Sequence, residues 1–137
     1  MPEPQPTRAQ RSVLIVEDNR QNLELVQFLL EEVGHRVRSA GDARSARVEL
    51  DRELPDLVLM DMQLPGTDGL ELVQELRQDP RFRRLPIVAL TAHALRGDRE
   101  RFLAAGFDGY LEKPIDVASF PRQIEALLEG SGKEAPR

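Results

Sequence analysis

The 137-residue sequence has no cysteine, no tryptophan and a single tyrosine, and aromatic residues make up only 4% of it. Without cysteine there is neither a disulfide framework nor a thiolate metal site, and the absence is compatible with a reducing compartment. No apolar run exceeds four residues, as in Val13-Leu14-Ile15-Val16, whereas a membrane-spanning helix needs roughly 20. The opening stretch MPEPQPTRAQR has no apolar core and does not read as a signal peptide. Positive charge is not in excess either: 19 Lys and Arg stand against 24 Asp and Glu, for a net charge of −5. A nucleic-acid binder needs a clustered positive surface to neutralise phosphates, so neither nucleic acid nor membrane is an expected partner.

What the chain does contain fits one soluble domain. The apolar fraction is 40% and the charged fraction 31%, close to the average for globular proteins, and the length suffices for a core without covalent staples. Residues 1–10 carry three prolines and no apolar periodicity and read as a disordered tail. Residues 130–137, with two glycines and a proline, read the same way. This leaves 11–129 as the folded domain, expected in the cytoplasm.

Within that domain short apolar runs alternate with helical periodicity. Ser12 to Val16, Arg36 to Ala40, Leu57 to Met60, Ile87 to Leu90 and Gly109 to Leu111 read as strands. Between and after them, apolar residues recur at helical spacing. Leu23, Val26, Leu30 and Val33 mark a first helix, capped by Asn19 and ended by Gly34. Asp42 caps a second helix with Ala43, Ala46 and Leu50 on one side. Leu70, Val73 and Leu76 mark a third, after a turn at Pro65-Gly66. A fourth runs from Asp98 to Ala105, and a last carries Ile124, Leu127 and Leu128. Pro121 sits where that last helix should begin, a position tolerated only in a first turn, so a late start or a kink is expected. Five successive β-then-α units imply an α/β fold, with a doubly wound parallel sheet and helices on both faces.

In such a sheet ligands bind beyond the carboxyl ends of the strands. Glu17 and Asp18 follow the first strand, Asp61 the third, Thr91 the fourth and Lys113 the fifth. Three carboxylates converging on one rim repel each other, and a hard divalent cation with oxygen ligands relieves that repulsion. A lysine ammonium and a threonine hydroxyl at the same rim supply a charge and a hydrogen bond for phosphate oxygens. Asp61 can then act as a nucleophile toward a phosphoryl group.

The segments Val16-Glu17-Asp18-Asn19, Leu59-Met60-Asp61-Met62-Gln63-Leu64-Pro65-Gly66, Ala89-Leu90-Thr91-Ala92 and Glu112-Lys113-Pro114 resemble the motifs of the receiver domain of two-component response regulators, the CheY-like superfamily. The resemblance covers residues 12 to 129. The stretches around Asn19 to Asn22 and Thr91 to Leu95 are similar both to single-domain regulators of the DivK kind and to receivers attached to hybrid histidine kinases. The resemblance implies a flavodoxin-like sheet of five strands in the order 2-1-3-4-5. It implies that Asp61 accepts phosphoryl from a phosphohistidine on a histidine kinase or histidine phosphotransfer protein. It implies Mg²⁺ (or Mn²⁺) held by Glu17, Asp18, Asp61 and the backbone carbonyl of Gln63, with Thr91 and Lys113 binding the phosphoryl group.

By the same resemblance Thr91 and Tyr110 form the switch, the side chains of Gln63 and His93 tune phosphate lifetime, and the Lys113–Pro114 bond is cis. The product would be a signalling switch rather than an enzyme for other substrates. It would act as a monomer or weak dimer and be read by an unknown protein output partner. Many receivers carry two aspartates where this chain has Glu17-Asp18, and the longer Glu17 suits contact with a metal through water. A Mg²⁺-dependent phosphohydrolase is the enzymatic alternative, but the position two residues beyond Asp61, where such enzymes usually place a second acid, is Gln63. A receiver that no longer takes phosphate is a second alternative, disfavoured by the full set of acids, Thr and Lys. A flavodoxin-like cofactor carrier is a third, disfavoured by the lack of a glycine-rich loop after the first strand.

Overall fold

The computed structural model describes residues 10–92 and 98–133. The chain runs β1 (Ser12–Val16), α1 (Arg20–Glu32), β2 (Arg36–Ala40), α2 (Ala43–Arg52) and β3 (Leu57–Asp61). A two-stranded hairpin of Gln63–Leu64 with Thr67–Asp68 leads into α3 (Gly69–Arg77) and a 3₁₀ turn at Pro80–Phe82. Then come β4 (Ile87–Thr91), α4 (Asp98–Ala105), β5 (Gly109–Glu112) and α5 (Phe120–Lys133). The five main strands are all parallel, in the order β2-β1-β3-β4-β5.

The three central strands are apolar and buried along nearly their whole length, as a parallel sheet covered on both faces requires. Alternation still sorts their side chains. Leu14, Val16, Val58, Met60, Ile87 and Ala89 pack with residues of α2, α3 and α4. Val13, Ile15, Leu57, Leu59, Val88 and Leu90 pack with α1 and α5. Because every central strand buries both sets, the polar groups that end these strands are forced to its rim.

Local signals act as the residues dictate. Asn19 accepts the Asn22 N–H at 3.0 Å and starts α1; Asp42 accepts the Ser45 N–H at 2.8 Å and starts α2. Gly34 follows the end of α1 at φ 95°, a left-handed conformation that costs a residue with a Cβ. Val33, the last of the spaced apolar residues that marked the first helix, caps it and is 46% exposed, whereas Leu29 is buried. α5 continues to Lys133, through residues 130–133 that the sequence pattern places in the C-terminal tail. Gly130 and Gly132 weaken a helix by about 1 kcal/mol each but do not end it. Pro121 is the second residue of α5, in the first turn, where its missing N–H has no partner to lose. Residues 1–9 and 134–137, which hold the rest of the expected tails, lie outside the described residues, as does His93. Among the described residues no helix is long and apolar enough to cross a membrane.

His35 is a buried polar group at the opposite edge of the sheet. Its Nδ1 accepts the Arg11 N–H at 3.4 Å, and its Nε2 lies 3.6 Å from Glu125 on α5. Burial, as the main cause, holds the imidazole below its ordinary value of 6.5, with the Glu125 carboxylate opposing. The unfolded chain therefore takes up this proton at a higher pH than the folded one. The resulting stability is complete above pH 6.5 and is lost as pH falls through the lower folded value. Urea unfolding at a series of pH values should show wild type losing stability relative to His35→Gln as pH falls below 6.5. A constant difference between the two proteins would contradict this assignment.

Candidate functional site

The carboxyl ends of β1, β3, β4 and β5 bring together the polar groups singled out in the sequence. Asp61 is the last residue of β3 and is buried. Its Oδ1 accepts the Gln63 N–H at 3.1 Å and lies 3.2 Å from Lys113 Nζ. Glu17 follows β1, where its N–H donates to the Ala40 carbonyl at 2.9 Å, and it is only 2% exposed. Its Oε2 accepts the Asn19 N–H at 3.2 Å. Its Oε1 lies 3.3 Å from Lys113 Nζ but has no hydrogen-bond partner among the described residues. Asp18 is exposed, and one carboxylate oxygen from each of Glu17, Asp18 and Asp61 falls within 4.8 Å of the others.

Lys113 reaches this cluster from just beyond β5, with its side chain 18% exposed. Its N–H donates to the Thr91 carbonyl at 2.8 Å, and the Lys113–Pro114 peptide is cis. Thr91 ends β4, buried and in register with Glu112. Tyr110 lies further down β5, half-buried, its ring 5.5 Å from that of Phe102 on α4. Gln63 is exposed at the start of the hairpin. The open cleft above the acids has a volume of about 380 Å³.

Electrostatics favour a cation here. Burial, and next the adjacent Asp61 carboxylate, push the Glu17 carboxyl above its ordinary value, against the pull of Lys113. One ammonium offsets one of three formal negative charges. A buried carboxylate oxygen without a hydrogen bond is costly, and Glu17 Oε1 is such an atom. Three oxygen donors around one point, one of them buried without a hydrogen bond among the described residues, fit a hard divalent ion of the Mg²⁺ class, which takes one or two carboxylates and keeps waters.

Sequence reasoning missed two groups. Asn19 was read only as a helix cap, but it also lines the cleft with Asn22. Gly69 gave no signal at all, although it lies against the backbone of Asp61 and Met62; only the path of the chain after β3 reveals that approach.

Comparison with known proteins places this arrangement in context. The family described as response regulator receiver domain matches residues 13–125. The chain is 43% identical over 122 residues to the polar-differentiation response regulator DivK of Brucella ovis, covering 86% of this chain and 96% of that protein. The receiver domain of sensor histidine kinase PA1611 from Pseudomonas aeruginosa PAO1, whose structure has a magnesium ion coordinated in the active site cleft, superposes with a TM-score of 0.78. It is 39% identical, with 88% of this chain and 99% of that one covered. The chemotaxis response regulator CheY4 of Vibrio cholerae shares the fold at a TM-score of 0.81 and 24% identity, over 87% of this chain and 99% of that one.

Proposed function

Because this chain belongs to the response regulator receiver domain family, whose members act as signalling switches, we propose that it takes phosphoryl from a phosphohistidine onto Asp61 and so switches a partner-binding face. The observation that carries this reading is the meeting of Asp61, Glu17, Asp18 and Lys113 in one cleft. The Asp61 carboxylate attacks phosphorus as the phosphorus–nitrogen bond breaks, and the departing imidazole takes a proton. Lys113, 3.2 Å from Asp61 Oδ1, supplies positive charge where the phosphoryl oxygens arrive. The Gln63 N–H holds Oδ1 and orients the carboxylate. Thr91, at the neighbouring strand end, is assigned a phosphoryl oxygen. Glu17, Asp18, Asp61 and the Gln63 carbonyl would hold Mg²⁺ (or Mn²⁺), which supplies charge neutralisation to the phosphoryl oxygens when bound.

The switch is assigned to Thr91 and Tyr110. Tyr110 touches Phe102 of α4, so a change in its ring is passed to that helix. Gln63 and His93 are assigned to phosphate lifetime, as the residues two beyond Asp61 and Thr91. The phosphodonor is a histidine kinase or histidine phosphotransfer protein, the reader is a protein output partner, and the chain works in the cytoplasm as a monomer or weak dimer.

The test is a small-molecule phosphodonor with Mg²⁺, followed by intact mass spectrometry. One phosphoryl adduct per chain is expected, and none in EDTA. Multiple turnover on a phosphomonoester would overturn the reading in favour of a hydrolase; no adduct with any donor would leave an inert module. The cation requirement gives a separate expected result. Asp18→Asn removes an exposed carboxylate from the cluster and should raise the Mg²⁺ concentration for half-maximal uptake by roughly tenfold or more. An unchanged Mg²⁺ dependence would remove Asp18 from the proposed ligand set.

A further inference from the structure

Gly69 opens α3 with an ordinary backbone conformation, so no turn or positive φ requires a glycine there. What requires it is proximity. A Cβ at residue 69 would stand 3.0 Å from the Asp61 carbonyl oxygen, 3.0 Å from Met62 Cα and 3.3 Å from the Met62 carbonyl oxygen. All three are backbone atoms, which cannot swing aside as a side chain does. Met62 is moreover held from two sides. Its N–H donates to the Leu90 carbonyl of β4 at 3.1 Å, and its carbonyl accepts the Gly69 N–H at 3.0 Å. The next residue, Gln63, donates its N–H to Asp61 Oδ1. From these contacts we infer that Gly69 is a positioning residue for Asp61, its missing side chain letting α3 clamp the Asp61–Met62 backbone so that the Gln63 N–H meets the acceptor carboxylate.

The inference rests on Asp61 being the phosphoacceptor and adds a requirement outside the cleft. A Cβ at residue 69 must displace the Asp61–Met62 peptide by several tenths of an ångström, loosen the Met62–Leu90 bond, or tilt the start of α3. Each turns the Gln63 N–H away from Oδ1. Of the other glycines described, those with ordinary φ do not share this property. Gly41 would meet nothing within 4 Å, and Gly109 only the Leu127 side chain at 3.9 Å.

The experiment compares wild type with Gly69→Ala, Gly41→Ala and Gly109→Ala. Phosphoryl uptake from a small-molecule donor is followed over a range of Mg²⁺ concentrations, and the Gln63 amide resonance is recorded in EDTA. Gly69→Ala should fold cooperatively, take up phosphoryl roughly ten- to a hundredfold more slowly at saturating Mg²⁺, and shift its Gln63 amide even without metal. The two control variants should stay within about twofold of wild type. Uptake by Gly69→Ala at the wild-type rate, or an unmoved Gln63 amide, would overturn the inference. If Gly69→Ala does not fold, the wild-type protein decides: on titration with Mg²⁺ the Gly69 amide should shift in step with that of Gln63, and an indifferent Gly69 amide would overturn the inference. If wild type itself takes up no phosphoryl, it is the proposed function that fails, and the amide resonances still decide whether Gly69 positions Asp61.

Discussion

Asp61→Asn should abolish phosphoryl uptake while leaving the fold intact. The amide keeps the shape of the carboxylate and can still accept the Gln63 N–H that Asp61 Oδ1 accepts at 3.1 Å. It loses the negative charge, and with it the nucleophilicity that attack on phosphorus requires. Removing the nucleophile from a group that works as a unit costs several orders of magnitude in rate, so no adduct should be detectable by intact mass under conditions that label wild type. The same substitution relieves repulsion in the cluster. Glu17 is raised by burial and then by Asp61, so without the Asp61 charge its ionised form costs less. In EDTA the variant should therefore melt no lower than wild type. An adduct that persists in Asp61→Asn would move the acceptor elsewhere; a large drop in melting temperature would mean that the lost activity reports lost structure.

The largest effect on stability is expected at Arg77, far from the cleft. Its guanidinium is mostly covered, with the side chain 18% exposed. Nε and Nη2 donate to the Gly106 carbonyl at 2.9 and 2.7 Å, and Nη1 donates to the carbonyls of Phe82 and Leu85 at 2.7 Å each. Nη2 also donates to Asp108 Oδ2 at 3.0 Å, the oxygen that accepts the Ile87 N–H. One side chain thus ties the end of α3 to the 3₁₀ turn, the entry to β4 and the segment between α4 and β5. Arg77→Met keeps most of the packing but leaves the Gly106 and Leu85 carbonyls without this donor and Asp108 without its ion pair, while the Phe82 carbonyl keeps only the Leu85 N–H at 3.3 Å. At about 1–3 kcal/mol for each unsatisfied group, reduced where water can enter, a loss of about 3–5 kcal/mol is expected. Arg77→Lys should recover less than half, because a point charge cannot span acceptors that a planar fork reaches together. Urea midpoints with unchanged slope would measure this. A loss under about 1 kcal/mol would show that the carbonyls find water instead.

Neither of these two sites was equally legible beforehand. Asp61, Glu17, Asp18, Thr91 and Lys113 could be picked out because each follows a short apolar run, and a polar residue at the end of a buried strand cannot point into the core. Arg77 offered no such sign. Its acceptors are backbone carbonyls at Phe82, Leu85 and Gly106, and a carbonyl's availability does not depend on residue type. The exposure of Val33 was hidden for a related reason: helical periodicity holds only while the helix does, and the exact end of a helix is set by competing caps.

The order of β-α units, the doubly wound class and the identity of the rim residues follow from the sequence alone, because apolar period and strand-end polarity are properties of neighbouring residues. The separations that make those residues a site do not. The approach of Lys113 to both Glu17 and Asp61, the burial of the Glu17 carboxylate beside Asp61 and the contact of Gly69 with the Asp61 backbone depend on strands and loops far apart in the chain. They were decided by the register of β1, β3, β4 and β5 and by the return of the hairpin to α3, since only packing converts sequence separation into distance.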